Sequence, residues 1–356
     1  MEINQILPTF HAGDAIGDEA RELQTLFLSH GFKSAIYALE TDPGLESEIR
    51  PFARLKGDYN RDSITVYHFG LPSEITDIFS GLPGKKVIIY HNITPAVFFH
   101  GFSKEMVHIA NEGRRQLRIL AVCTDLALAD SSFNRDELDA CGFRRTAVLP
   151  LLLDFSRYAE KPTGSLSRML AQDESDKILF VGRVYPNKKI EDLVKTFYYY
   201  KRFVNPAARL IIAGKCGGLP GYFYPLLAMT RELALSSEEV IFTGHVAFPD
   251  LLALYRHADL FLSMSEHEGF CVPLLESMYF GLPILAYKAG AMAETLGGGG
   301  VLFHRKEPAE IAELAYMLMH DRHLRSSLHA AQKKRLEAFT QEKIEALLWG
   351  HLEELL

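Results

Sequence analysis

Glu268 and Glu276 stand on either side of Gly269-Phe-Cys-Val-Pro-Leu-Leu275, a stretch that joins a short apolar run to a helical pattern. Pro273 suits the first turn of that helix, where its missing N–H costs nothing. Carboxylates beside the free N–H groups of a helix start give a ligand acceptors for its hydroxyls and donors for its phosphates. A nucleotide sugar needs both. The alternative is that both glutamates merely cap helices. A zinc site is excluded because His267-Glu268 has no second histidine at metal-ligand spacing, and no chemical role is assigned to Glu266. Upstream, Phe180-Val-Gly-Arg-Val-Tyr-Pro-Asn-Lys188 places Gly182, Arg183 and Lys188 between an apolar run and the next helix. Two cations beside a helix N-terminus suit a diphosphate. Lys189 is expected to be solvated or paired with Glu191 or Asp192. The run Phe242-Thr-Gly-His-Val246 ends in Gly244, His245 and Val246, a loop against which a flat base can lie.

The first half offers a second set of polar residues. After its first apolar run comes Pro8-Thr-Phe-His-Ala-Gly-Asp-Ala-Ile-Gly-Asp-Glu19, with His11, Gly13 and Asp14 ahead of a helical pattern. This is neither a dinucleotide fingerprint nor a P-loop, since the glycine spacing and the Gly-Lys-Ser/Thr ending are absent. It reads as a loop offering backbone N–H groups to an anion or sugar oxygen, with a plain turn capped by Asp14 or Asp18 as the alternative. Further on, Ile88-Ile-Tyr-His-Asn-Ile-Thr-Pro95 ends an apolar run in His91, Asn92 and Thr94, hydrogen-bonding groups at a strand's carboxyl end.

The elements that would hold these residues alternate in an α/β pattern. Strands are expected at Ile3–Leu7, Ser34–Leu39, Ile64–Phe69, Lys86–Tyr90, Leu126–Ala129 and Ala147–Leu151. A second series follows at Lys177–Val181, Ala208–Ala213, Val240–Thr243, Leu260–Ser263, Pro283–Ala286 and Gly300–Phe303. Their near-continuous Val, Ile, Leu and Phe content indicates parallel sheets covered on both faces. Two doubly wound domains are expected, 1–160 and 161–340, with a hinge near 155–175 and a cleft between them. An amphipathic helix over 341–356, with Ile344, Leu347, Leu348, Leu352 and Leu355 at helical spacing, is expected to pack back on the first domain. Ligands of such sheets bind at the carboxyl ends of the strands, where all the residues above fall.

The chain has 356 residues, of which 48% are apolar and 23% charged, enough for two separate cores. Its net charge of −7 argues against a nucleic-acid face. Cys123, Cys141, Cys216 and Cys271 lack metal-ligand spacing and read as reduced thiols of a cytoplasmic protein. No signal peptide or membrane span is read at the N-terminus.

Taken in order, Val181-Gly-Arg-Val-Tyr-Pro-Asn-Lys188, Leu210-Ile-Ile-Ala-Gly214, Phe242-Thr-Gly-His245, Ala258-Asp-Leu-Phe-Leu-Ser263, Glu268-Gly-Phe-Cys-Val-Pro-Leu-Leu-Glu276 and Gly281-Leu-Pro-Ile284 resemble the retaining glycosyltransferases of family 4, the glycosyl transferases group 1. The resemblance covers nearly all of the second half and is looser over the first. It implies an α/β protein of the GT-B fold, two doubly wound Rossmann-like domains facing across a cleft, with an acceptor-side first domain and a donor-binding second. It implies that Arg183 and Lys188 hold the donor diphosphate and assist its departure, and that Glu268 faces the donor sugar. The backbone of Gly269, Phe270, Cys271 and Val272 would support phosphate and sugar, Glu276 would bind the ribose, and His91 would touch the transferred sugar. His11, Gly13, Asp14, Asn92 and Thr94 fall on the acceptor or sugar side. Two departures stand out: Cys271 replaces the usual glycine, and the first loop lacks the common double glycine.

The reaction so implied is retaining transfer from a nucleotide-diphosphate sugar, with UDP or GDP as carrier, to a hydroxyl of a glycan or lipid-linked acceptor. It requires no metal and no other cofactor, since no Asp-x-Asp pair follows a strand suitably. Domain closure would exclude water. Polysaccharide or lipopolysaccharide assembly, with peripheral contact at the inner face of the membrane, is consistent by analogy. Two alternatives share the architecture: a nucleotide-sugar epimerase, and a carbohydrate-binding protein without turnover. A glycan phosphorylase is disfavoured for want of a pyridoxal lysine and a longer chain.

Overall fold

The computed structural model describes residues 1–11, 13–58, 61–162 and 164–356, with the side chains of Lys56 and Asp58 left aside. Ala12, within the first glycine loop, and Thr163, within the hinge stretch, lie outside the described residues. The chain forms two compact units. The first comprises Met1–Val97, Glu105–Asp154 and Phe339–Leu356; the second comprises Phe98–Lys104 and Phe155–Ala338.

The first unit is built on a parallel sheet of seven strands: β1 (Glu2–Phe10), β2 (Ile36–Thr41), β3 (Arg50–Pro51), β4 (Ser63–Phe69), β5 (Lys85–Tyr90), β6 (Leu126–Ala129) and β7 (Thr146–Val148). They lie in the order β3-β2-β1-β4-β5-β6-β7. Six match expected strands, and the seventh, β3, is a two-residue exposed edge that carries no apolar signal. Registers Ile3↔Ile64, Val66↔Val87 and Val87↔Leu126 line up one apolar face. Leu23, Leu26 and Phe27 of the helix Ala15–Ser29 cover part of it, and Ile344, Leu348 and Leu352 of the helix Gln341–Leu352 pack into the same cluster. Trp349 stacks on Phe32, with ring centroids 5.6 Å apart, and meets Phe27 edge-on.

The second unit holds a parallel sheet of six strands: β8 (Lys177–Val181), β9 (Arg209–Ala213), β10 (Val240–Gly244), β11 (Leu260–Ser263), β12 (Ile284–Tyr287) and β13 (Val301–Phe303), in the order β10-β9-β8-β11-β12-β13. All six expected strands are present. Their side chains are almost wholly buried at β8, β9 and β11, as expected of strands covered on both faces. The helices Ile190–Phe203 and Pro308–His320 pack together, as do Ser165–Gln172 and Phe248–His257.

Each sheet reverses its direction of growth once, between β1 and β4 in the first unit and between β8 and β11 in the second. Flanking loops part at such a point and leave a crevice at the strands' carboxyl ends. Among the described residues, no helix is long and apolar enough to cross a membrane.

Candidate active site

In the second unit the loops after β8 and β11 meet at the reversal point. The turn out of β8 depends on two glycines, Gly182 in it and Gly214 at the end of the neighbouring β9. Gly214 has φ 143°, and a Cβ there would lie 2.1 Å from the Gly182 carbonyl oxygen. Gly182, at φ 154°, leaves the strand beside it. The chain then exposes Arg183, which makes no hydrogen bond or ion pair among the described residues. A short turn, Pro186–Lys188, follows. Its Asn187 side-chain amide donates to the His267 carbonyl at 3.1 Å, and the Asn187 carbonyl accepts from the Glu266 N–H at 2.8 Å. This lacing sets Lys188 against Glu268, with its ammonium 2.6 Å from both carboxylate oxygens. The Lys188 side chain is 20% exposed and that of Glu268 10%. Partial desolvation strengthens the mutual attraction of the two charges while costing each some of its hydration, and the pair still reaches solvent.

Gly290 fixes the other side of Glu268. It has φ 51°, and a Cβ on it would lie 2.4 Å from the Glu268 carbonyl oxygen. That carbonyl accepts from Ala291 N–H at 3.0 Å, while Thr295 Oγ1 donates to the Phe270 carbonyl at 2.6 Å. Cys271 then precedes the helix Val272–Tyr279 at φ 74°, a left-handed conformation natural to glycine. Burial pushes its thiol up, with the Glu268 charge adding to the effect.

Glu276 lies inside that helix, buried, and both its oxygens are engaged. Tyr158 Oη donates to Oε1 at 3.0 Å and Tyr255 Oη to Oε2 at 2.5 Å. Burial pushes the carboxyl above the usual range, and the two tyrosine hydroxyls pull it back. A carboxylate has about four lone-pair sites, so one on each oxygen stays available to a ligand hydroxyl. Glu266, by contrast, meets Lys306 at 2.7 Å and Lys189 at 3.4 Å. Its role is to tie the loop after β11 to Lys189, which also faces Glu191 at 3.7 Å. At the end of β10, Gly244 has φ 70°, and beyond it His245 is exposed and Val246 half-buried.

The first unit arranges its polar residues at the carboxyl ends of β1, β4, β5 and β6. His11 Nδ1 lies 2.8 Å from Asp42 Oδ1. Gly13 takes φ 70° and is exposed, and Asp14 occupies the N-cap position of the helix Ala15–Ser29 without a side-chain capping bond. His91 leaves β5 with its N–H bonded to the Phe69 carbonyl at 2.9 Å. Asn92, at φ 74°, donates to Asn134 Oδ1 at 2.8 Å, and Thr94 is half-buried.

His91 itself is almost enclosed, its side chain 4% exposed. Its Nδ1 lies 3.2 Å from Asp130 Oδ2 and its Nε2 3.1 Å from His68 Nδ1. Glu19 Oε2 stands 3.7 Å from both His68 Nδ1 and His91 Nε2. Burial opposes a charge on His91, but Asp130, through its charge and hydrogen bond, together with Glu19, outweighs it and pushes the imidazole up to about 9. Burial raises Glu19 to about 8 and lowers His68. Gln5, Glu19, His68, Asp130, Tyr158, Tyr255 and Gly290 escape a reading of the sequence. Each is a common residue type, and only long-range pairing within its own unit gives it its partners.

Three likenesses to known proteins follow these features. Residues 167–335 match the family described as glycosyl transferases group 1. The serotype-specific mannosyltransferase WbdA of Escherichia coli is 29% identical over 134 residues, 38% of this chain and 16% of that protein. The N-acetyl-alpha-D-glucosaminyl L-malate synthase of Bacillus anthracis is 28% identical over 199 residues, 54% of this chain and 49% of the enzyme. The chain thus spans half or less of either relative's length. In overall structure it resembles Anabaena HepE, solved in complex with UDP-glucose, with a TM-score of 0.75 and 20% identity over 98% of this chain and 99% of HepE. Two doubly wound parallel sheets with these strand orders constitute the GT-B fold, and within it residues 167–335 carry the likeness to the glycosyl transferases group 1 family.

Proposed function

We propose that the protein is a retaining glycosyltransferase that moves a sugar from a nucleotide-diphosphate sugar to a hydroxyl of a glycan or glycolipid acceptor without a metal ion. The observation that carries this reading is the group at the β8–β11 reversal point: exposed Arg183, Lys188 held by Glu268, and Glu276 between two tyrosine hydroxyls. Cleaving a sugar–phosphate bond develops negative charge on the departing phosphate, and fixed cations there lower the barrier. Arg183 brings an unpaired guanidinium suited to a bidentate phosphate contact. Lys188 brings an ammonium with one further donor while Glu268 holds two, and Glu268 keeps acceptor sites for sugar hydroxyls. Glu276 serves the ribose. The acceptor oxygen forms its bond to the anomeric carbon on the face the phosphate leaves, and the acceptor proton passes to a phosphate oxygen. The likeness to a mannosyltransferase and to HepE, solved with UDP-glucose, supports a hexose donor, and UDP or GDP is the proposed carrier. The serotype-specific relative supports a place in surface polysaccharide assembly.

A thermal-shift screen against UDP, GDP, ADP and their sugar conjugates tests the donor site, since a ligand at a hundred times its Kd stabilises by about 2.7 kcal/mol. One nucleotide series is expected to raise the melting temperature, and Lys188→Ala and Glu276→Ala to abolish that rise. Absence of a shift with every nucleotide overturns the reading. Product analysis with the responding sugar, run in EDTA, separates transfer from epimerisation and reads metal independence together.

A further inference from the structure

A hydrogen-bonded chain in the first unit runs beneath His91. Its first link has one possible direction. The Ala20 carbonyl only accepts, so the Gln5 amide nitrogen, 2.8 Å away, must face it. That turns Gln5 Oε1 toward His68 Nε2 at 2.9 Å, and an amide oxygen only accepts, so His68 carries its proton on Nε2. With burial holding His68 neutral, its Nδ1 is left with a lone pair. The His68 and His91 rings are nearly coplanar at 2°, with centroids 5.3 Å apart and facing nitrogens 3.1 Å apart. The two nitrogens therefore lie on the line between the rings, the arrangement of an N–H···N hydrogen bond, and His91 Nε2 must be the donor. On its other side His91 Nδ1 meets the Asp130 carboxylate at 3.2 Å, again as donor. Glu19 Oε2, Nδ1 of His68 and Nε2 of His91 lie within 4.8 Å of one another. A metal shared by the two imidazoles would need their lone-pair directions to converge off the line between the rings; here they oppose each other along it.

We propose that Gln5 and His68, aligned on the Ala20 carbonyl, act as positioning residues that keep His91 doubly protonated, an imidazolium balanced by Asp130. The ionisable groups facing His91 are Glu19 and Asp14 at the first helix, His68 on β4 and Asp130 after β6. Burial drives Glu19 toward its neutral form, and Asp130, hydrogen-bonded to Nδ1, is the direct partner of the His91 charge. His91 then has no lone pair and cannot act as a general base. Resting on the glycosyltransfer reading above, this assigns the acceptor's proton elsewhere. The acceptor O–H and the anomeric C–O(phosphate) bonds break, the new glycosidic bond and a phosphate O–H form, and His91 keeps both its protons throughout.

Nitrogen NMR of protein labelled in its histidines reads this directly. At pH 7.5 the wild-type chain is expected to show His91 with both nitrogens protonated and His68 with one protonated and one bare nitrogen. Gln5→Leu frees the His68 tautomer, and His91 is expected to lose one ring proton at the same pH. A neutral His91 in the wild type, or a stoichiometric transition metal on elemental analysis, overturns the proposal. An unchanged His91 pattern in a folded Gln5→Leu variant overturns the part assigned to Gln5. If the variant fails to fold, the wild-type spectrum still decides. Loss of the donor reading leaves these spectra unaffected. If both hold, the wild-type pH–rate profile shows no limb from loss of a His91 proton below about pH 8, whereas Gln5→Leu shows one at lower pH.

Discussion

Glu276 illustrates how a carboxylate can be buried with both its oxygens hydrogen-bonded. Its two oxygens accept from Tyr158 and Tyr255, which lie 118 and 21 residues away in sequence. Spacing alone reveals the Glu268–Glu276 pair because both belong to one strand–helix connection, but it cannot reveal partners so distant. Tyr255→Phe removes the shorter bond, leaves Glu276 desolvated with less compensation and raises its protonated fraction. A bond to a charged acceptor contributes about 1.5–3 kcal/mol. Calorimetric titration is therefore expected to show nucleotide binding weakened about tenfold or more, and increasingly so toward acid pH. Unaltered affinity would remove Tyr255 from the site. Cys271 gives a second test at the same scale. Its φ of 74° disfavours any side chain, and a branched one most. In denaturant unfolding, Cys271→Gly is expected to stay within about 1 kcal/mol of the parent, the relief of strain offsetting the lost thiol contact. Cys271→Val is expected to cost about 2 kcal/mol or more, as a β-branched residue forced into that region.

Among the elements, the strands were legible and the small connections were not. Runs such as Ile64–Phe69 and Leu260–Ser263 announce buried parallel strands because nearly every side chain faces a covering helix. The edge strand β3, Arg50–Pro51, pairs through two exposed residues and leaves no periodic trace. His68 was hidden for another reason: it sits inside β4, where a polar residue in an apolar run reads only as an interruption. Its purpose emerges from the register that sets it beside His91 and Gln5. The helix Gln341–Leu352 shows the reverse case, an amphipathic pattern expected to pack on the first domain whose individual partners are not written in its own sequence. Leu348 and Leu352 enter the cluster under Ile3, Ile64 and Val87. Arg145 donates to the His351 carbonyl at 3.0 Å, pinning the end of the helix beside β7. Leu348→Ala removes a side chain only 2% exposed and is expected to cost about 2–5 kcal/mol in denaturant unfolding. A cost below about 1 kcal/mol would mean that the helix does not complete this core.

Across the whole molecule, the protons held in the first unit make its stability depend on pH, and the sign follows from the direction of each shift. His91 rises from 6.5 to about 9 in the folded chain. Its contribution is fully present below pH 6.5 and is lost as pH climbs through 9. Glu19 rises from 4.5 to about 8, so the folded chain again binds the extra proton and loses that advantage as pH rises through 8. His68 is shifted below 6.5, so it charges more readily in the unfolded chain, and its effect is a loss of stability as pH falls below 6.5. Stability of the first unit is thus expected to decline between about pH 6.5 and 9, and to turn down again on the acid side. Trp349, the single tryptophan of the sequence, packs against Phe27 and Phe32 within this unit. Its fluorescence isolates the unfolding of the first unit even if the two units melt separately. Urea titrations followed at Trp349 should give a midpoint that falls steadily from pH 6.5 to 9. Glu19→Gln, which keeps the shape and removes the titrating proton, should flatten the part of that slope below about pH 8. An alkaline slope of the opposite sign would mean that His91 is neutral in the folded protein, since only a proton held more tightly by the native state can be lost to its disadvantage as pH rises.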